Sequence, residues 1–301
     1  MNIFVTGATG YIGGTVSARL LDAGHHVFGL ARSQERADRL EERGITPVLG
    51  SLEDFDVLHD AAQAADAVIN AANADNPFAA RVLVDALRGS GKMLLHTSGT
   101  STVADNANGA FGDAVYHEDS VLDPLPEKTG RIAIDRMICA AAHDGVRAVV
   151  LSPCLIYGQG LGVRPDSIQV PMFIEMAKAS GVPRHLGAGA NLWSHVHIED
   201  CADAYMAAFE HASAGSYFYI EAGEASMREL NLAVAQLLGM EARTETLSLP
   251  DAVRAWGPPM AHGMGSNVRV CADKARSMLN WQPRRPGLLE DIAKGSYRDI
   301  V

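Results

Sequence analysis

The sequence predicts an α/β protein built on a doubly wound parallel sheet, followed by a smaller lobe. Three observations carry that prediction. Short, almost wholly apolar runs such as VFGL and AVVL alternate with longer helical patterns through the first half, as strands buried on both faces require. An opening strand, NIFVT, leads at once into glycines at three-residue intervals. After Pro153 the chain grows richer in Gly and Pro, and its elements shorten.

Taken in order, strands are expected at 2–6, 26–31, 46–50, 67–71, 93–98 and 147–152. Helices fill the intervals at 11–23, 33–43, 55–64, 77–88 and 128–143, and Gly24, Gly44 and Gly145 stand where three of them end. This strand-helix alternation is that of repeated βαβ units. Beyond Pro153, helices are expected at 167–179, 199–212, 227–238, 272–279 and 288–299, with loops at 158–166 and 257–265. Residues 1–153, completed by about 193–212, form the expected dinucleotide-binding domain, and 154–301 the interleaved substrate lobe.

Composition narrows the partners. The 301 residues carry a formal net charge of -11, which offers no basic field to nucleic acid or to an anionic membrane. No apolar run reaches the ~18 residues of a membrane-spanning helix. Four scattered cysteines without Cys-x-x-Cys spacing, and no signal-like segment before the first strand, fit a cytoplasmic protein.

The strand-turn-helix Val5 to Val16, VTGATGYIGGTV, places Gly7, Gly10 and Gly13 where backbone must approach a pyrophosphate and a helix N-terminus supplies amide donors. Such a turn can also exist without a ligand. The second strand ends in Ala31-Arg32-Ser33, with no carboxylate to bind ribose hydroxyls. Arg32, Ser33 and Arg36 suit a 2′-phosphate instead, so NADP is expected over NAD. The competing account makes Arg32 a solvated residue at the sheet edge.

These residues resemble the extended short-chain dehydrogenase/reductase superfamily, in particular its NAD-dependent epimerase/dehydratase branch, which opens on Thr-Gly-x-x-Gly-x-x-Gly. The resemblance implies a Rossmann-type fold. It also carries cofactor contacts onto Gly7, Thr9, Gly10, Tyr11, Ile12 and Gly13, and onto Ser51 and Leu52 after the third strand. Ala71, Ala72 and Asn73 match the fourth-strand motif; Pro153 and Leu155 follow the sixth strand, before Ile156-Tyr157-Gly158. Ser194 to Asp200 falls on the segment returning to the nucleotide domain. The family's chemistry uses a Ser or Thr after the fifth strand and a Tyr-x-x-x-Lys on the next helix. Thr100 stands at the hydroxyl position with Ser98 nearby, though a turn bonding its own backbone is the plainer account. The tyrosine is missing: Glu127 stands in its place and Arg131 in that of the lysine. Arginine can hold a ribose but does not readily shuttle protons. Tyr116 and Tyr157 are the other tyrosines weighed as proton donors.

Three readings follow: an NADP-dependent oxidoreductase acting on a small carbonyl or alcohol, a non-catalytic NADP-binding sensor, and a sugar-nucleotide epimerase or dehydratase. The enzyme reading ranks first. No metal site is expected, since His195 and His197 share a strand face without a third ligand. Trp193 either shapes the pocket or anchors the lobe. Arg254 to Ser266, RAWGPPMAHGMGS, is expected as a mobile loop that lies over the substrate or packs on itself. Family resemblance implies a homodimer through helices 77–88 and 128–143, whose Ala79, Ala80, Val84, Ala133, Ala140 and Ala141 permit close packing.

Overall fold

The computed structural model describes residues 1–300. Its first half runs β1 (Asn2–Thr6), α1 (Tyr11–Asp22), β2 (His26–Ala31), α2 (Gln34–Glu41), β3 (Thr46–Leu49) and α3 (Phe55–Ala64). There follow β4 (Ala67–Asn70), α4 (Pro77–Leu87), β5 (Met93–Thr97), α5 (Thr129–Ala140) and β6 (Arg147–Pro153). The second half holds β7 (Leu155–Tyr157), α6 (Gln169–Ser180), β8 (Arg184–Leu186), β9 (Leu192–His197), α7 (Ile198–His211), β10 (Ser216–Ile220) and β11 (Glu224–Ser226). It closes with α8 (Met227–Leu237), β12 (Glu245–Leu247), α9 (Leu249–Trp256), α10 (Pro258–Gly265), α11 (Asp273–Met278) and α12 (Leu288–Lys294).

Seven strands form one sheet in the order β10-β6-β5-β4-β1-β2-β3, and every pairing in it is parallel. Order reverses between β1 and β4, so a crevice opens there at the strands' C-terminal ends. Alternation along each strand divides the core into two layers. Ile3, Val5, Leu95 and Val149 meet Val16 and Leu20 of α1 and Cys201, Tyr205 and Ala208 of α7 on one face. Phe4, Val68, Leu94 and Val150 meet Leu83 and Leu87 of α4 and Ile134 and Ile138 of α5 on the other.

The chain leaves this sheet after β6, enters the smaller lobe and then returns. Leu192–His197 joins a three-stranded sheet, β11-β9-β7, while α7 packs on α1 and Ser216–Ile220 supplies the seventh strand. Asp200 of α7 then accepts backbone N–H bonds from Arg284 and Arg285 at 2.9 and 3.0 Å. That contact pins the C-terminal segment to the nucleotide half.

One expectation fails outright. The expected loop at 257–265 is α10 (Pro258–Gly265), with Gly257 as the cap between it and the preceding α9. Pro258 and Pro259 stand in its first turn, where proline's missing N–H costs nothing. The sequence pattern hid this, because Gly263 and Gly265 lie inside the helix. At the far end, α12 stops at Lys294, before Gly295, instead of running to 299.

Candidate dinucleotide and active site

The opening turn makes a cradle out of backbone. Gly7 has φ +75, and a Cβ there would stand 2.5 Å from the Ala71 carbonyl oxygen. A Cβ on Gly13 would stand 2.4 Å from the Gly7 carbonyl oxygen. Only glycine fits either position. Gly10 caps α1 without any side-chain hydrogen bond, and the helix's first turn holds no acid. Its free amides and positive dipole therefore face the crevice, a setting made for an anion. The crevice encloses about 310 Å³, with Gly7, Thr9 and Gly10 on one wall and Ala71, Ala72 and Asn73 on another.

Arg32 and Arg36 stand at one end of this cavity, beside Leu30, Leu52 and Glu53. Arg36 Nη1 lies 3.3 Å from the Thr9 hydroxyl, and Ser33 caps α2 by accepting the Arg36 backbone N–H. Glu53, a carboxylate at this end, was not among the residues singled out in the sequence. Several expected cofactor residues lie off the cavity wall. Tyr11 donates its hydroxyl to the Gly158 carbonyl at 2.8 Å, and burial pushes that hydroxyl's pKa well up. Ile12 packs against the core, Ser51 begins the turn that leads to α3 by binding Asp54, and Leu155 is buried in the smaller lobe next to Pro153.

Past β5 the chain enters a short 3-10 turn, Thr100–Val103, and places the hydroxyl candidates differently. Thr100 is 4% exposed and Ser98 is 7% exposed. The Ser98 hydroxyl donates to Asp135 Oδ2 at 2.7 Å. Arg131 is held by Asp75 through two bonds, of which Nε to Oδ1 spans 2.8 Å, and its Nη1 reaches the Ser101 hydroxyl at 3.0 Å. The Arg131 guanidinium beside Asp75 holds that carboxyl below its ordinary range. Asp75 in turn donates its N–H to Asn73 Oδ1 at 3.0 Å, so a chain of polar contacts runs from the nucleotide cavity to Ser101.

Ser101 opens onto a second space, an interlobe cleft of about 400 Å³. Its walls include Leu125, Pro126, Trp193, Pro258 and Val268, with Glu127, Lys128 and His262 among its polar groups. The segment 254–266 thus does lie over this cleft, but as a helical wall. Trp193 does both things weighed for it, lining the cleft and anchoring the lobe through Nε1 to the Ser266 carbonyl at 2.8 Å.

Neither tyrosine weighed from the sequence lines the dinucleotide cavity or the cleft. Tyr157 is buried and donates to the Pro286 carbonyl, while Tyr116 packs against Val103 and Val270. His197 Nδ1 accepts the Glu199 N–H and caps α7. His195 packs edge-on against Tyr157. Among the described residues no group of three or more His, Cys, Asp or Glu is placed to hold a metal.

A glycine-rich switch-point cradle joined to an interlobe cleft defines a dinucleotide-binding α/β fold of the oxidoreductase kind. The chain belongs to the NAD dependent epimerase/dehydratase family, whose model matches residues 3–220. It is 31% identical to an uncharacterised protein of Schizosaccharomyces pombe, over 99% of this chain and all of that one. It is also 31% identical to a 2-alkyl-3-oxoalkanoate reductase of Stenotrophomonas maltophilia, across 79% of this chain and 75% of the relative. Among solved structures, dTDP-glucose 4,6-dehydratase of Bacillus anthracis in complex with NAD superposes with a TM-score of 0.79 at 16% identity, covering all of this chain and 96% of that one.

Proposed function

We propose that the protein is an NADP-dependent oxidoreductase that interconverts a small, largely apolar carbonyl compound and its alcohol. The observation that carries this reading is the polar chain Asn73-Asp75-Arg131-Ser101, which leads from the glycine cradle to the apolar cleft. When bound, the dinucleotide supplies or accepts the hydride. The chain's own residues bind and orient: α1 presents amides to the pyrophosphate, and Arg32 and Arg36 meet the 2′-phosphate. Arg131 is a binder placed for a ribose hydroxyl. Leu125, Pro126, Trp193 and Val268 exclude water from the substrate.

The reductase relative supports carbonyl chemistry. A nucleotide-sugar substrate is disfavoured, because the cleft wall sets Lys128 against the carboxylates of Asp105 and Glu127 where a second pyrophosphate needs positive charge. One observation favours a binding-only sensor: the Arg131 guanidinium is already engaged by Asp75. Phe78, 69% exposed on α4, supports a homodimer through α4 and α5. Calorimetric titration with NADPH, NADP, NADH and NAD at one ionic strength tests the cofactor reading, with tight binding of the phosphorylated pair expected. A carbonyl panel monitored through loss of NADPH absorbance then separates enzyme from sensor.

A further inference from the structure

Beneath α5, at the C-terminal ends of the strands, polar side chains gather where the fold has otherwise placed Leu94 and Val150. His96 of β5, Asp135 of α5, Ser152 of β6 and Thr102 of the 3-10 turn are 0%, 4%, 0% and 1% exposed. Two of them contribute a fully enclosed polar atom without a hydrogen-bond partner, His96 Nε2 and Asp135 Oδ1, while the Ser152 and Thr102 hydroxyls gather around that of Tyr217. An unpartnered buried polar group costs about 1–3 kcal/mol, so two that face each other call for a reason beyond packing. Asp135 has its other oxygen bound by Ser98.

The histidine's tautomer follows from its neighbours. Thr6 donates to Asn70 Oδ1 at 2.6 Å, which turns the Asn70 amide toward His96 Nδ1 at 3.0 Å. Nδ1 is therefore the acceptor and Nε2 carries the proton. That N–H faces Asp135 Oδ1 from 3.9 Å, a distance for electrostatic support and not for a hydrogen bond.

Two openings reach this cluster. Toward solvent lies a cavity of about 170 Å³, walled by Asp135, Thr102, Tyr217, Tyr219, Glu118 and Arg136. Its wall mixes these polar groups with Leu122, Ile132 and Cys139, and it has room for several waters at ~30 Å³ each. Toward the nucleotide, Asn70, the last residue of β4 before Ala71 and Ala72 of the dinucleotide cavity, pairs with His96, and Ser98 follows β5 directly. Gly99 follows directly under Arg131, whose Nη1 would be 3.2 Å from a Cβ there.

We propose that Ser98, Asp135 and the water-accessible cavity behind them form a proton path that takes over the role of the missing tyrosine. The proposal rests on the oxidoreductase reading above. In the reducing direction, hydride addition to the carbonyl carbon leaves a negatively charged oxygen. Ser98 gives that oxygen its hydroxyl proton and takes one from Asp135, and Asp135 recovers a proton from water in the cavity. The alcohol product carries one hydride and one proton, and the oxidising direction runs the same transfers backward. Ser98 is the catalytic residue; Asp135 acts through it, as a positioning residue and proton reservoir.

Burial pushes the Asp135 carboxyl up to about 6, against the Ser98 hydrogen bond and the Arg131 charge, which pull it down, while the Asp75 charge adds to the rise. Both protonation states are thus reached near neutrality. Besides these, the groups facing Asp135 are His96 from β5, Tyr217 and Tyr219 from β10, Cys139 and Arg136 from α5 and Glu118 from the loop before it. Burial holds His96 down at about 4, so it stays neutral while Asp135 titrates.

The test is carboxyl ¹³C NMR of aspartate-labelled full-length protein between pH 4 and 9, with NADPH or with NADP. One carboxyl is expected to titrate near pH 6 and to vanish from the spectrum of Asp135→Asn. Ser98→Ala should raise that midpoint by about 0.5 in pH or more, since the carboxylate loses a donor, and Ser98→Thr should restore it. The oxidised dinucleotide, whose ring is cationic, should lower the midpoint relative to the reduced one. An Asp135 midpoint below pH 4.5, or one indifferent to Ser98 or to the redox state of a dinucleotide that binds, overturns the path. Binding of none of the four dinucleotides by calorimetry overturns the oxidoreductase reading itself, and the path with it. Should Asp135→Asn fail to fold, the Ser98 pair decides the matter alone.

Discussion

The glycine cradle and the cluster under α5 sit on opposite sides of the same switch point, yet they are built on different terms. The cradle is backbone: Gly7, Gly10 and Gly13 come from one short segment, and their positions follow from hard-sphere contact with Ala71 and with each other. The cluster is side chain: Ser98, His96, Asp135 and Ser152 come from β5, α5 and β6 and meet only when helix and sheet have packed. Recognition by backbone leaves its mark in local sequence, whereas chemistry assembled from distant side chains leaves almost none.

The largest test of that contrast is at Gly7. Gly7→Val puts a side chain into the Ala71 carbonyl at a positive φ, so dinucleotide binding should fall by about a thousandfold or more and stability by several kcal/mol. Calorimetry and thermal unfolding read the two; retained binding would mean that the cradle is not the site. Next in size, Ser98→Ala is expected to lower kcat about 100-fold with little change in KM on whichever carbonyl the panel identifies. Thr100→Val serves as its contrast, and a larger loss there would return the hydroxyl role to Thr100. Arg32→Ala should weaken NADP by about 1–3 kcal/mol, the worth of a charge-assisted contact, and leave NAD nearly unchanged.

Stability against pH probes the same buried groups without any ligand. His96 and His195 are held at about 4 by burial, so the stability they carry as neutral groups is present above pH 6.5 and lost as pH falls toward 4. Asp135 is raised to about 6, so its contribution has the opposite sign, present in acid and lost as pH rises through 6. Near pH 5 the unfolded chain binds two more protons at the histidines and one fewer at the aspartate. These three groups therefore give a net slope of about 1.4 kcal/mol per pH unit, and Asp135→Asn should roughly double it in denaturation experiments. The smallest expected change is at the surface: Phe78→Glu should shift a dimer toward monomer in sedimentation without altering the monomer's unfolding free energy by more than about 0.5 kcal/mol.

Legibility in the sequence followed the same division. The six strands of the first half were readable because apolar runs and terminal glycines are local signals, and Arg32 could be weighed because it directly follows β2. The helix α10 was not, since Gly257, Gly263 and Gly265 imitate a loop and only the paired prolines mark its start. Asp135 looked like one more polar position on α5. Nothing in its neighbours along the chain says that Ser98 and His96 wait beneath it, so burial there could be learned only from the packed helix. Glu53 escaped notice for a related reason, being set against Arg32 and Leu52 by the turn after β3.

The detour that the chain makes before adding β10 has a consequence for its synthesis. Until Ser216–Ile220 has emerged and paired with β6, the edge of the central sheet is β6, a strand buried along nearly its whole length in the finished protein, and an apolar edge of that kind recruits other chains. A nascent polypeptide therefore carries an adhesive border through some sixty residues of elongation. A fragment cut at the apparent boundary near Pro153 would keep that border permanently, which makes the nucleotide half a poor candidate for expression by itself and leaves the loops around the cleft as the safer place for change.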